Sequence, residues 1–207
     1  RLPLGVPARG YCIAETGGRL WVCTGHRVHV HHMRQSTSMA AFDLPNRRWK
    51  SYLKGIWRDG LVAGDWDGAL YHLTTSRAAS SPLHVPAWDD TPIHLLAAAD
   101  DGTLWGASWN GRLRRWGADG TLRPMSQLPL APALPTHLLA LPQEACVVAD
   151  QAGGLTVFDA QGAVRWKWRS EQPIRALRAE TLHTPYRYLV WVGERQVFQL
   201  SEGQPHD

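Results

Sequence analysis

Four apolar residues, Leu70, Leu113, Leu155 and Val197, recur along the chain at steps of 43, 42 and 42 residues. Around each lies the same theme: an apolar strand pattern, a polar or glycine turn, then a second apolar strand. The best-matched pair is residues 63–70 against residues 106–113. A period near 42 with strand-like contents specifies stacked β-blades, because one such unit cannot bury both its faces alone. No segment sustains a helical period, so the chain reads as all-β.

Turn signals divide each repeat into strands. Segments 94–100, 104–109, 112–116 and 121–127 read as one blade, with Asn110-Gly111 and Asp119-Gly120 as turns. The next blade takes 137–141, 145–151, 155–159 and 164–170. A further set takes 174–179, 186–192 and 196–200 and has no outer strand. Upstream, 55–58, 61–66, 69–74 and 82–85 make another blade. The first fifty residues are less regular. Strands at 11–15 and 20–24 flank Gly17-Gly18, after which two registers compete. Residues 27–32 as third strand would keep the period at 42. Residues 39–43 as third strand would make the His-rich segment a long hairpin extension. The second is preferred, because residues 42–50 mirror residues 158–167 with one residue less in the turn.

The expected architecture is therefore a β-propeller of about five four-stranded blades with a repeat of 42–43 residues. Residues 1–207 read as a single domain, complete or excised from a longer chain. The short strand-like piece 1–6 is expected to supply the missing outer strand of the last blade, since closure by both termini removes an exposed edge.

Composition fits this reading. The chain holds 11 Trp in 207 residues, and sheets stacked on both faces need bulky side chains. A net charge of +4, from 22 basic and 18 interspersed acidic residues, lacks the clustering of a nucleic-acid surface. No apolar run is long enough to span a membrane as a helix. Cys12, Cys23 and Cys146 have neither zinc-ribbon nor disulfide-framework spacing. A two-residue hairpin at Gly17-Gly18 would nevertheless set Cys12 opposite Cys23, which leaves a bridge and a pair of small fillers both open. The expected compartment is the cytoplasm rather than the secreted space.

At Phe158-Asp159-Ala160-Gln161-Gly162-Ala163-Val164-Arg165-Trp166, preceded by Val147-Val148-Ala149-Asp150, the sequence resembles the repeat of the pyrroloquinoline-quinone-like propellers, part of the wider WD-repeat-like superfamily. That repeat runs from an apolar strand through a D-x-x-G turn to a strand ending in Trp. The match is good in this blade and partial at 42–49 and 113–122. The resemblance implies a fold more than an activity. The superfamily's quinoprotein enzymes hold a calcium-bound cofactor, but no set of acidic and amide ligands for it is visible here. Asp65 and Asp67 lack the closing acid of a calcium loop and read as turn residues. No cofactor is expected.

Candidate sites follow from the irregularities. His29 and His31 share one strand face within the cluster His26, His29, His31 and His32, and could hold zinc or copper if a third ligand arrived. Arg112, Arg114, Arg115 and Arg123 interleave with Trp105, Trp109 and Trp116. Arg165, Lys167 and Arg169 alternate with Trp166 and Trp168. Either stretch could bind nucleic acid by stacking and charge, and either fits a half-buried outer strand with Trp inward and charge outward. The second pattern is preferred for both. Trp66 and Trp109 occupy equivalent turns, which raises a five-bladed lectin, yet the corresponding residues are Gln151-Ala152 and Gly193-Glu194. No nucleophile elbow, phosphate loop or zinc-protease motif is present, so no catalytic residue is assigned. The expectation is a non-catalytic protein-interaction module of a bacterial-type assembly, with contacts at Trp66, Trp109, Arg112 and Arg114. A glycan-binding propeller and a propeller enzyme with a central metal or quinone site are the alternatives.

Overall fold

The computed structural model describes residues 10–16, 18–24, 27–34, 37–43, 52–57, 60–64, 70–75, 79–83, 93–123, 133–141, 143, 145–180, 187–192 and 196–201. The chain divides into two compact units, Arg1–Ile93 and His94–Asp207. Both are built of antiparallel sheets whose strands follow sequence order, and no helix occurs among the described residues.

The first unit holds two four-stranded sheets. One is β1 (Gly10–Thr16), β2 (Arg19–Thr24), β3 (Arg27–His32) and β4 (Thr37–Asp43); the other is β5 (Tyr52–Trp57), β6 (Gly60–Gly64), β7 (Leu70–Thr74) and β8 (Ala79–Leu83). They meet through Trp21, Val28, Val30 and Phe42 of the first sheet against Leu61 and Leu73 of the second. This outcome corrects the preferred sequence register. Residues 27–32 are the third strand and residues 39–43 lie in the outer strand, so the His-rich segment is not a hairpin extension. The likeness of Phe42 to Phe158 misled because Phe158 ends a third strand while Phe42 sits on an outer one, opposite Val28. The period-2 alternation of buried Val28 and Val30 outweighs the local similarity. Cys12 and Cys23 do face each other across the Thr16↔Arg19 hairpin; their side chains lie outside the described ones.

The second unit holds β9 (Ile93–Ala98), β10 (Leu104–Ser108), β11 (Leu113–Trp116) and β12 (Leu122–Arg123), then β13 (Pro135–Ala140), β14 (Cys146–Asp150), β15 (Gly154–Phe158) and β16 (Val164–Arg169). A third sheet contains β17 (Ile174–Glu180), β18 (Arg187–Val192) and β19 (Gln196–Ser201), with three strands among the described residues. The expected closing segment 1–6, and the expected outer-strand residues beyond Arg123, lie outside the described residues.

The 42-residue period now has a physical meaning. Its members stand at the start of third strands, and Val28, Leu113 and Leu155 each pack against the following sheet. Val28 packs on the β5–β8 sheet. Leu113 packs on β13–β16, in a layer with Trp105, Leu138, Cys146, Val148 and Phe158. Leu155 packs on β17–β19, in a layer with Ile174, Val190 and Leu200. Leu70 is also buried. Val197 is 59% exposed.

Turn chemistry is equally repetitive. Four hairpins, closed by Ala99 with Thr103, Ser108 with Arg112, Gly117 with Thr121 and Asp159 with Ala163, share one hydrogen-bond pattern. Each has three loop residues, the last a glycine with φ between 79° and 84°, a conformation that disfavours any Cβ. An aspartate or asparagine oxygen satisfies loop amides in each: Asp101 for Thr103, Asn110 for Arg112, Asp119 for Thr121, and Asp159 for Gln161 and Ala163. Asp101, Asp119 and Asp159 are thereby occupied with turns.

Candidate functional site

Trp109 occupies the first loop position of the β10–β11 hairpin, where strand direction carries it out of the sheet. It is 44% exposed but not loose. The Ser108 hydroxyl, fully buried, donates within reach of Asn110 Oδ1 (2.6 Å) and the Arg112 carbonyl (3.0 Å). The amides of Ser108 and Gly111 close the turn through the carbonyls of Arg112 and Ser108, each at 3.0 Å. The His94 imidazole stacks on the indole with centroids 4.3 Å apart and planes 19° from parallel. Offset stacking at such a separation is attractive for aromatic rings.

His94 is itself fixed. Its Nε2 lies 2.7 Å from the Pro135 carbonyl on the next sheet. A carbonyl can only accept, so the Nε2–H form of the ring donates this bond. His137, one period later at 43 residues, repeats the device: Nε2 donates to the Arg175 carbonyl at 3.1 Å, while Nδ1 lies 3.1 Å from Thr136 Oγ1. Sequence reasoning treated both histidines as mere strand openings. Their spacing of one repeat, each at the start of a first strand, is the signal that would have found them.

The remaining expected contact residues separate. Arg112 is partly buried beside Trp109. Arg114, expected on the surface, stands mid-way along a third strand and is 5% exposed. Trp66 lies outside the described residues. Arg115 is also buried, with its guanidinium carbon 6.0 Å from the centre of the Trp105 ring. Near it, burial pushes the Cys146 thiol well above its ordinary pKa, with the Arg115 charge opposing. That thiol is a neutral core group.

His29 and His31 do lie together, their rings 6.3 Å apart and 20° from parallel. Burial lowers the His29 pKa, helped by the charges of Arg27 and His31 and opposed by Asp43. Among the described residues no group of three or more His, Cys, Asp and Glu side chains is placed to hold a metal ion. A groove of about 520 Å³ runs between the end of β16 and β19, bordered by Trp168, Glu171, Gln196 and Phe198. Trp168 and Phe198 both line it, their ring centroids 5.6 Å apart.

No model of a protein family and no curated protein matches the sequence. Solved structures do. The chain is similar to BBS1N crystallised in complex with ARL6DN, with TM-score 0.72 and 17% identity, covering 94% of this chain and 64% of that one. It is similar to virginiamycin B lyase from Staphylococcus aureus, with TM-score 0.71 and 11% identity, covering 98% and 73%. It is also similar to BamB from Moraxella catarrhalis, with TM-score 0.68 and 13% identity, covering 94% and 57%. The chain thus spans less than two thirds of the BBS1N chain. These neighbours are β-propeller proteins, and the likeness establishes that fold. Because a lyase and chains from assemblies match equally well, the fold does not choose the activity.

Proposed function

We propose that this chain is a non-catalytic β-propeller module that binds a protein partner through the rigid Trp109 hairpin, with Arg112 as its charged neighbour. The observation that carries the reading is Trp109 itself: nearly half exposed, yet locked by a hydrogen-bonded turn and the His94 stack. A pre-organised aromatic loses little conformational freedom on binding, and Trp and Arg dominate the binding energy of protein interfaces. The capture of BBS1N with ARL6DN is compatible with a propeller serving as such a platform.

The finer fold reading belongs to the same proposal. It takes the repeat as pyrroloquinoline-quinone-like, supported by the turn formed at Asp159–Gly162, and the sheets as five blades within one domain. It also places the module in a cytoplasmic, bacterial-type assembly. Trp66, which holds the same loop position as Trp109 by the period, is a second anchor of the same kind.

The test is chemical cross-linking of the chain in cells, with no probe placed in the hairpin, read against Trp109→Ala and Arg112→Ala. The proposal expects one dominant protein adduct, lost in the Trp109 variant and weakened in the Arg112 variant. An adduct unchanged in both variants would overturn it. Binding to a glycan array that Trp109→Ala abolishes, without any protein adduct, would replace it with the carbohydrate reading.

A further inference from the structure

The strand β3 carries a group that the interaction surface does not use. His29 and His31 point to one side of their sheet together with Val22 and Leu20, their cross-strand partners on β2. That side is opposite to the Trp21–Val28–Val30 layer. His31 is 5% exposed, and among the described residues neither of its ring nitrogens has a hydrogen-bond partner. A buried imidazole with two unsatisfied nitrogens is costly, and Leu or Phe would fill such a place without that cost. A group of this kind calls for an explanation beyond packing.

We propose that His29 and His31 are the two protein ligands of an open site for a divalent transition ion, with zinc as its natural occupant. Residues two apart on a strand project to the same side, and the two rings, 6.3 Å apart, come within reach of one ion by rotation of their side chains. His29 is only partly buried, so an ion and its waters can reach the pair from that end. Asp43 lies on the same side as His29 and offsets the Arg27 charge there, its carboxylate 3.2 Å from the Arg27 guanidinium. Imidazole donors favour zinc, copper and nickel over calcium or magnesium. With no third His, Cys, Asp or Glu grouped with them among the described residues, waters complete the coordination. The site is therefore weaker than a closed four-ligand structural centre, and accessible to a further donor.

Strand alternation supplies the control. His32 is adjacent in sequence but points to the other side, where its Nδ1 accepts the Arg34 amide at 3.3 Å. Metal-free 207-residue protein is titrated with zinc chloride by calorimetry, and with cobalt(II) by absorption spectroscopy. One equivalent should bind and raise the melting temperature. His29→Gln and His31→Gln should each weaken binding at least tenfold, and His32→Gln should leave it unchanged. Because His31 is buried, His29→Gln is the decisive variant if His31→Gln fails to fold. No saturable binding by the unaltered chain overturns the proposal. So does an unchanged affinity in His29→Gln, or an equal loss in His32→Gln, which would mean general adsorption to a His-rich segment.

Discussion

Two strands of the second unit share a composition and meet opposite fates. β11 reads Leu-Arg-Arg-Trp and β16 reads Val-Arg-Trp-Lys-Trp-Arg. On β16, Arg165, Lys167 and Arg169 are exposed while Trp166 and Trp168 lie against the core, as an outer strand with one covered face requires. On β11 every residue is buried, including Arg114 and Arg115. The expected pattern of Trp inward and charge outward therefore holds for one strand and fails for the other. The difference is position within the sheet. A third strand has hydrogen-bonded neighbours on both edges, and β11 is buried along its whole length, with Arg115 over the Trp105 ring. Arg123 on the outer strand β12 behaves like the β16 residues, reaching Asp119 at 3.1 Å with 40% of its side chain exposed.

Substitutions can break this contrast. The largest effect is expected at Trp105, fully buried under Arg115: Trp105→Ala should cost about 3–5 kcal/mol in urea unfolding, well above Trp166→Ala. Arg115→Ala should cost about 2 kcal/mol or more, and Lys167→Ala less than about 0.5 kcal/mol. Equal losses at 115 and 167 would mean that the guanidinium is not part of the packed layer. Arg115→Met sharpens the point, since near-native stability would assign the role to the stem rather than the charge.

A chemical probe comes next in size. The Cys146 thiol should resist iodoacetamide in native protein at pH 8 and react promptly once urea unfolds it, as read by mass spectrometry of its peptide. Native-state labelling would show that the Arg115–Trp105 layer admits water. The smallest effect lies on the outer strand. Hydrogen bonds from the Thr121 hydroxyl and amide, then the charge of Arg123, hold the Asp119 carboxyl below its ordinary pKa. Its contribution is thus present above the usual aspartate range and is lost as pH falls through the lowered value. Thr121→Val should move that pKa back up in an NMR titration, while Lys167→Ala should not.

The blade repeat was legible because packing imposes it: Val28, Leu113 and Leu155 must each meet the next sheet, so their spacing survives in the chain. The turns were legible for a similar reason, since Gly102, Gly111, Gly120 and Gly162 need positive φ. The first sheet misled where a local likeness around Phe42 competed with a longer-range rule. Burial of Arg114 was not legible, because alternation on one strand cannot report what lies over its second face. The Trp109 site was half legible. Its exposed hairpin position follows from Asn110-Gly111, whereas the supporting His94 comes from 15 residues upstream and is tied to yet another sheet.

Those ties have a consequence for how such a chain can change over generations. His94 and His137 each donate to a main-chain carbonyl of the following sheet, not to a side chain. Any residue can offer that oxygen. A repeat can therefore be duplicated, shuffled or allowed to drift in sequence while its junction with the preceding repeat stays intact, so long as the histidine side of the seam is kept.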